Sequence, residues 1–387
     1  MANDGKVVAM PSADGPAPFA HWMMREIYEQ PQTLGETFAR YVENGAFREE
    51  SCGPIRRWLN DLHGELVIAA SGSSRHAGMV AELTIEDLTG IAVDVEYASE
   101  YSYRSERATK DASVMIVSQS GETADTLAAL RKAHAAGHRT LAITNVEGST
   151  MAREATVSVP TVAGRERAIP ATKSFTSQLL VLHLLALMTA EVKGTMDATT
   201  LRAHLSGAEM LPELIESQLA DWEADVKEIA EEYGEIENFL FLGRGVHYPI
   251  AREGALKLKE SAYLHAEGYP AGELKHGPNA LVSDRTPLVM IATVDHGDPD
   301  SVERYERTLN LMSDMREQGA NILAIANTGD SEVDSLATHT IWVRPTTELL
   351  LPLCEVVPLQ MFSYFMSINN GIDVDRPRNL VKAVVEE

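Results

Sequence analysis

Cysteine is almost missing from this sequence. Cys52 and Cys354 are the only two in 387 residues, so no disulfide framework holds the fold, and a reducing cytoplasm is the expected setting. Positive charge is also scarce, with 33 Lys and Arg against 57 Asp and Glu, a net charge of -24. That excludes a general nucleic-acid binder, whose affinity comes from neutralising phosphates. Any anionic ligand must instead be held by local dipoles. The start, MANDGKVVAMPSADGPAPFA, lacks the basic and apolar stretches of a signal peptide. No apolar run reads as a bilayer span of about 20 residues, and FTSQLLVLHLLALMTAEV (175–192) reads as a buried or interface helix. No HxH, HExxH or CxxC spacing suggests a metal. Neither SGSSRHAG (71–78) nor GRGVHYP completes the G-x-G-x-x-G of a dinucleotide site, so no cofactor is expected.

Apolar residues make up 44% of the chain, enough for real cores, and the length suits two domains. Residues 1–18 read as a loose arm and 19–50 as helical, with Met24, Ile27 and Tyr28 at helical spacing. ELVIAASGSS (65–74), IAVDVEYAS (91–99), SVMIVSQS (113–120), HRTLAITN (138–145) and TVSVPTV (156–162) read as strands between helices. Such alternation predicts an α/β fold with a parallel, two-faced sheet. The second half repeats the plan at a spacing of roughly 170 to 180 residues: NFLFLGRG mirrors ELVIAASG, PLVMIATV mirrors SVMIVSQS, and GANILAIAN mirrors GHRTLAITN. The expected organisation is one α/β domain over 51–205, a helical linker over 206–236 and a second domain over 237–370. HTIWVRP (339–345) is the last expected strand. Pro377 starts the 371–387 tail as an irregular loop.

The duplication fails at one informative place. After its third strand the first half has SQSGET (118–123), and the second half has TVDHGDPD. A strand-to-helix loop at the carboxyl edge of a parallel sheet presents free N–H groups and the positive end of a helix dipole. Ser118, Ser120 and Thr123 add hydroxyls, Gln119 an amide and Gly121 a close turn, with Ser71, Ser73 and Ser74 on the same edge. The set suits a phosphate held without a cation. Read from the residues alone, an ordinary Ser/Thr helix cap stands beside that reading.

The densest chemistry lies in YPIAREGALKLKESAYLHAEGYPAGELKHGP (248–278). Glu253, Lys257 and Glu260 fall on one helical face, flanked by Ala251, Gly254, Ala255, Leu256 and Leu258. A salt-bridged surface helix is the ordinary reading. A packed face would instead place a carboxylate beside an amine in low dielectric, where acid–base chemistry becomes available. His276 sits in a Gly- and Pro-bounded loop.

SQSGETADTLAALR, FLGRG, YPIAREGALKLKE, HAEGYPAGELKHGP and DVDRPRNLVK together resemble the isomerase part of the glutamine–fructose-6-phosphate aminotransferases, the glucosamine-6-phosphate synthases. The resemblance runs in order from HWMMREIYEQP (21–31) to the C-terminus. It implies two tandem flavodoxin-like sugar-isomerase (SIS) domains and a homodimer with shared active sites. It implies that Ser74, Ser118, Gln119, Ser120 and Thr123 bind the sugar phosphate. Glu260 would then move a proton between C1 and C2, assisted by Lys257. His276 would open the ring from across a dimer interface, and Lys382 would engage the open-chain carbonyl.

Two departures shape the expectation. The synthases carry an N-terminal glutaminase domain with a cysteine nucleophile. This chain begins Met1-Ala2, so glutamine hydrolysis is not expected of it. IPATKSFT (169–176) puts Ala171 where the synthases have a sugar-contacting serine, and resembles the AATKS of stand-alone SIS deaminases; Val381 stands where alanine is usual. The expected reaction is therefore deamination of glucosamine 6-phosphate to fructose 6-phosphate and ammonia. The alternatives are a synthase subunit using free ammonia or a separate glutaminase partner, and a non-catalytic sugar-phosphate sensor. Glu260, His276 and Lys382 argue against the sensor, which needs only the phosphate loop.

Overall fold

A computed structural model describes residues 15–62, 64–105 and 112–382. The chain divides into two compact units. The first unit comprises Gln32–Glu166, Lys173–Met210 and the chain from Val381; the second comprises residues through Pro31, Arg167–Thr172 and Leu211–Leu380. Most of the 1–18 arm lies outside the described residues.

Strands β1 (Val42–Glu43) and β2 (Ala46–Phe47) form a small antiparallel hairpin in the first unit. Its main sheet contains β3 (Glu65–Ala70), β4 (Val93–Tyr97), β5 (Ala112–Ser118), β6 (Thr140–Thr144) and β7 (Val157–Pro160). They are parallel and ordered β4-β3-β5-β6-β7. Runs such as Leu66–Ala70 and Val114–Val117 are buried throughout, because helices cover both faces of a parallel sheet. The helix Lys173–Lys193 packs against the helix Gly72–Thr89.

The second unit's sheet contains β8 (Asn238–Gly243), β9 (His265–Pro270), β10 (Leu288–Ala292), β11 (Ile322–Asn327) and β12 (His339–Val343). The order is β9-β8-β10-β11-β12, again all parallel. Numbered within each unit, both sheets run 2-1-3-4-5, the flavodoxin-like order, whose ligand crevice lies outside the carboxyl ends of strands 1 and 3.

Two helices, Lys173–Lys193 and Leu351–Asn369, are long and apolar enough to cross a bilayer by length and composition. The sequence reading allowed for no such span. Their most apolar windows are 89% and 94% buried, so both are core helices of their own units. Each amphiphile-free helix owes its all-round hydrophobicity to being covered on every side.

Candidate active site

The loop after β5 has the form of an anion cradle. The helix Ala124–Ala135 starts directly behind it, and Thr123 at its N-cap position makes no side-chain capping bond. The hydroxyls instead gather: Thr123 Oγ1 lies 3.5 Å from Ser118 Oγ and 3.4 Å from Ser120 Oγ. Gly121 N donates to Ser118 Oγ at 3.2 Å and Glu122 N to Ser120 Oγ at 3.1 Å, which sets the turn. The loop is braced from outside. Asn145 N donates to the Gln119 carbonyl at 3.1 Å, and Met151 N to the Gly121 carbonyl at 3.1 Å. Gly121 has φ +65°, and a Cβ there would lie 2.2 Å from Ser149 Oγ and 2.6 Å from Ser149 Cβ. Glycine is therefore required on both conformational and steric grounds. Ser74, in the first turn of the helix after β3, is buried, and β3 and β5 are adjacent. The serines thus share one sheet edge.

The second unit holds a packed cluster of two carboxylates and an ammonium. The helix His247–Lys257 runs into a π-helical turn, Leu258–Ala262. Lys257 Nζ sits 3.4 Å from Glu253 Oε1 and 2.5 Å from Glu260 Oε2. Side-chain exposure is 0% for Glu253, 1% for Lys257 and 23% for Glu260. This is the packed face, and the surface salt-bridge reading does not hold. A π turn inside an α-helix often marks a functional site because it re-aims side chains. Here the re-aimed residue, Glu260, faces a cavity of about 510 Å³ also lined by Lys259, Tyr263, His265, Arg378 and Leu380. Tyr263 ends the turn at φ 58°; its hydroxyl accepts from Arg378 N at 2.5 Å, and the Arg378 guanidinium lies 4.3 Å over its ring. That contact ties the tail to the cavity rim.

The other predicted residues are placed as follows. His276 is the exposed last residue of a 3-10 turn, Ala271–His276, and is not among the residues lining that cavity. Ala171 is half-buried in the Arg167–Thr172 segment of the second unit. Backbone bonds hold this segment: Ile169 N to the Asp375 carbonyl at 3.0 Å, and Ala168 N to Glu26 Oε2 at 3.2 Å. Val381 is exposed. Lys382, in the first unit, reaches Glu166 Oε2 at 2.5 Å. The carboxylate of Glu166 is fully buried and also accepts from Ser174 N at 3.1 Å and Ser174 Oγ at 2.6 Å.

The sequence reading missed Glu166 and Tyr263. Glu166 lies five residues before Ala171, the start of the ATKS stretch, in a segment with no secondary-structure period to flag it. Tyr263 sits three residues past Glu260, but its left-handed conformation leaves no mark in the sequence.

Comparison with known proteins agrees with this architecture. The SIS domain family matches residues 61–188 and 235–369. The glutamine–fructose-6-phosphate aminotransferase (isomerizing) of Chlorobaculum tepidum is 40% identical over 375 residues, 95% of this chain and 59% of its own length. The chain thus spans about three fifths of the curated relatives it matches. Among solved structures, the C-terminal domain of glucosamine-fructose-6-phosphate aminotransferase from Francisella tularensis superposes with TM-score 0.87 at 32% identity, covering 94% of this chain and 100% of that one. Glucosamine-6-phosphate deaminase from Thermotoga maritima shares the fold at 22% identity and TM-score 0.70, covering 94% and 100%. With a repeated 2-1-3-4-5 sheet and both segments matched, the chain belongs to the SIS domain family, in the group formed by the C-terminal isomerase portions of the glutamine–fructose-6-phosphate aminotransferases.

Proposed function

We propose that this chain is an amino-sugar phosphate isomerase that converts glucosamine 6-phosphate and water into fructose 6-phosphate and ammonia, in the cytoplasm and as a homodimer. The observation that carries the reading is the Glu260 carboxylate, held 2.5 Å from a buried ammonium and facing a cavity. An aldose–ketose interconversion needs one base that moves a proton between adjacent carbons. Glu260 takes the C2 proton of the open-chain aldehyde and returns it at C1, while one proton of the C2 amine passes to the C1 oxygen; the imine so formed at C2 is hydrolysed by water to ketone and ammonia. Lys257, fixed between two carboxylates, stabilises the charge that develops on oxygen. Lys382 polarises the carbonyl, and His276 opens the ring from the other protomer. The Ser118, Gln119, Ser120 and Thr123 loop, with Ser74, holds the phosphate. Ala171 and Val381 line the sugar.

Deamination is the direction we favour because Ala171 removes the hydroxyl present in the synthases. The 40% identity to aminotransferases favours a second reading, synthesis of glucosamine 6-phosphate with free ammonia or a partner glutaminase. Incubation with glucosamine 6-phosphate should release ammonia and fructose 6-phosphate in equal amounts. Turnover only from fructose 6-phosphate with ammonium would select the second reading. No turnover either way, with Glu260→Gln indistinguishable from wild type, would remove the enzyme reading.

A further inference from the structure

At the carboxyl ends of β8 and β10, the crevice of the second unit is occupied by charged side chains from the chain itself. His247 lies four residues past Gly243, the last residue of β8; Ser74 lies four past Ala70, the last of β3. The two residues hold the same position in the repeated fold. Where Ser74 is neutral, His247 is buried between two carboxylates, with Nε2 3.3 Å from Glu348 Oε1 and Nδ1 2.8 Å from Glu355 Oε1. The helix after β10, Pro299–Glu317, adds Ser301 and Arg304 in its first turns. Arg304 donates to Glu348 Oε1 from Nη2 at 2.8 Å and from Nε at 3.1 Å, and Ser301 Oγ donates to Glu348 Oε2. Gly245, φ +52°, lets Arg304 approach; a Cβ there would lie 2.8 Å from Arg304 Cδ. Glu348 itself arrives on the loop after β12, its N–H bound to Asp295 Oδ2 at 3.2 Å.

A carboxylate bound by a guanidinium fork, an imidazole and a hydroxyl, at the position where this fold binds ligands, is arranged as a bound oxyanion. We propose that the second unit carries an oxyanion site equivalent to the phosphate loop of the first, and that the Glu348 side chain fills it as an internal ligand. The charge balance agrees. Burial alone would raise Glu348, but His247, Ser301 and Arg304 bring it down to about 2. Burial alone would lower His247, but Glu355 and Glu348 raise it to about 10. The chain would therefore take one sugar phosphate, at the first unit, although it contains two ligand-binding folds. That stoichiometry rests on the phosphate reading of the Ser118 loop; the plug does not.

Removing the plug tests it. Glu348→Ala keeps Arg304, His247 and Ser301 and vacates a space the size of a small oxyanion. Melting temperatures of the full chain are measured against formate and against inorganic phosphate. Glu348→Ala should be less stable than wild type and regain on the order of 2–4 °C or more, saturably, with either anion. Wild type should show no formate response, and Glu348→Gln, which keeps the space filled, should gain none. A phosphate response in wild type alone would report on the Ser118 loop, and its absence would count against that loop without touching the plug. Equal anion responses in wild type and Glu348→Ala would overturn the proposal. So would a Glu348→Ala chain that stays insoluble with either anion while Glu348→Gln folds.

Discussion

Gly121→Ala is the sharpest probe of the turn after β5, the proposed phosphate loop. Two costs follow from the structure. The residue sits at φ +65°, where a side chain is disfavoured by about 1–2 kcal/mol. The new Cβ would lie 2.2 Å from Ser149 Oγ, 2.6 Å from Ser149 Cβ and 2.8 Å from Thr144 Oγ1. Ser149 and Thr144 are buried and cannot swing into solvent, so overpacking adds about 1–3 kcal/mol. The sum, about 2–5 kcal/mol, is a large share of the roughly 5–15 kcal/mol that stabilises a typical domain. At about 2–4 °C per kcal/mol, the first unit's melting transition should fall by about 4–20 °C in scanning calorimetry. The steric share can be isolated. Ser149→Gly removes both the Oγ and the Cβ, at the cost of the cap that Ser149 gives Ala152 N, a few tenths of a kcal/mol for Ser to Gly. In that background the backbone cost and the Thr144 Oγ1 contact remain, so Gly121→Ala should still cost about 1–3 kcal/mol, with a coupling of about 1–2 kcal/mol to Ser149. An equal loss in both backgrounds would show that Ser149 does not pack against this turn as described. A loss under about 1 kcal/mol would refute the whole account.

The remaining predictions address the charged groups. Glu260→Gln should lower turnover of glucosamine 6-phosphate by about 10²–10⁴-fold, with little change in melting temperature because the side chain is partly exposed. Glu166→Gln replaces the buried carboxylate that Lys382 contacts by a neutral amide; kcat should fall on the order of ten-fold with a shifted pH profile and an unchanged affinity for inorganic phosphate, and a parallel loss of phosphate affinity would show a merely structural role. Stability against pH should follow the buried cluster. His247 is raised from 6.5 to about 10, so its contribution is full below about pH 6.5 and is lost as pH rises through 10. Glu348 is lowered from 4.5 to about 2, so its contribution is full above about pH 4.5 and is lost as pH falls toward 2. Urea midpoints should therefore plateau between these limits, and His247→Gln should flatten the alkaline decline.

Nine of the ten main strands are legible in the sequence because they are short apolar runs between turn signals. β9 is not. HAEGYP pairs along one side only, at the sheet edge, and is mostly half-exposed, so it carries a proline, a glycine and a glutamate that a central strand would exclude. The Glu253, Lys257 and Glu260 face was legible from helical spacing; the π turn that aims Glu260 was not, since it follows from packing around Leu258 and Ala262. Glu166 and Glu348 escaped for a related reason. Each sits in an irregular loop and acquires its charged partner far along the chain, 216 residues away for Lys382 and 44 for Arg304.

The acidic composition connects the two units' different solutions. A chain of net charge -24 repels anions at long range, so any anion it holds needs a local receptor. The first unit supplies hydroxyls and N–H groups and no cation in the SQSGET stretch, which leaves room for an external dianion without stranding a buried charge when the loop is empty. The second unit places a guanidinium and an imidazole at the corresponding edge. Without Glu348, His247 would keep Glu355 and Arg304 the looser contact to Asp298 at 3.7 Å, so an empty receptor of that kind would hold excess positive charge at a free-energy cost. An internal carboxylate removes that cost permanently, and with it the ability to exchange ligands. Two copies of one fold thus differ in the chemistry of the unliganded state: the hydroxyl and N–H loop carries no charge that must be paired when empty, and on the proposal above the charged edge stays filled by Glu348.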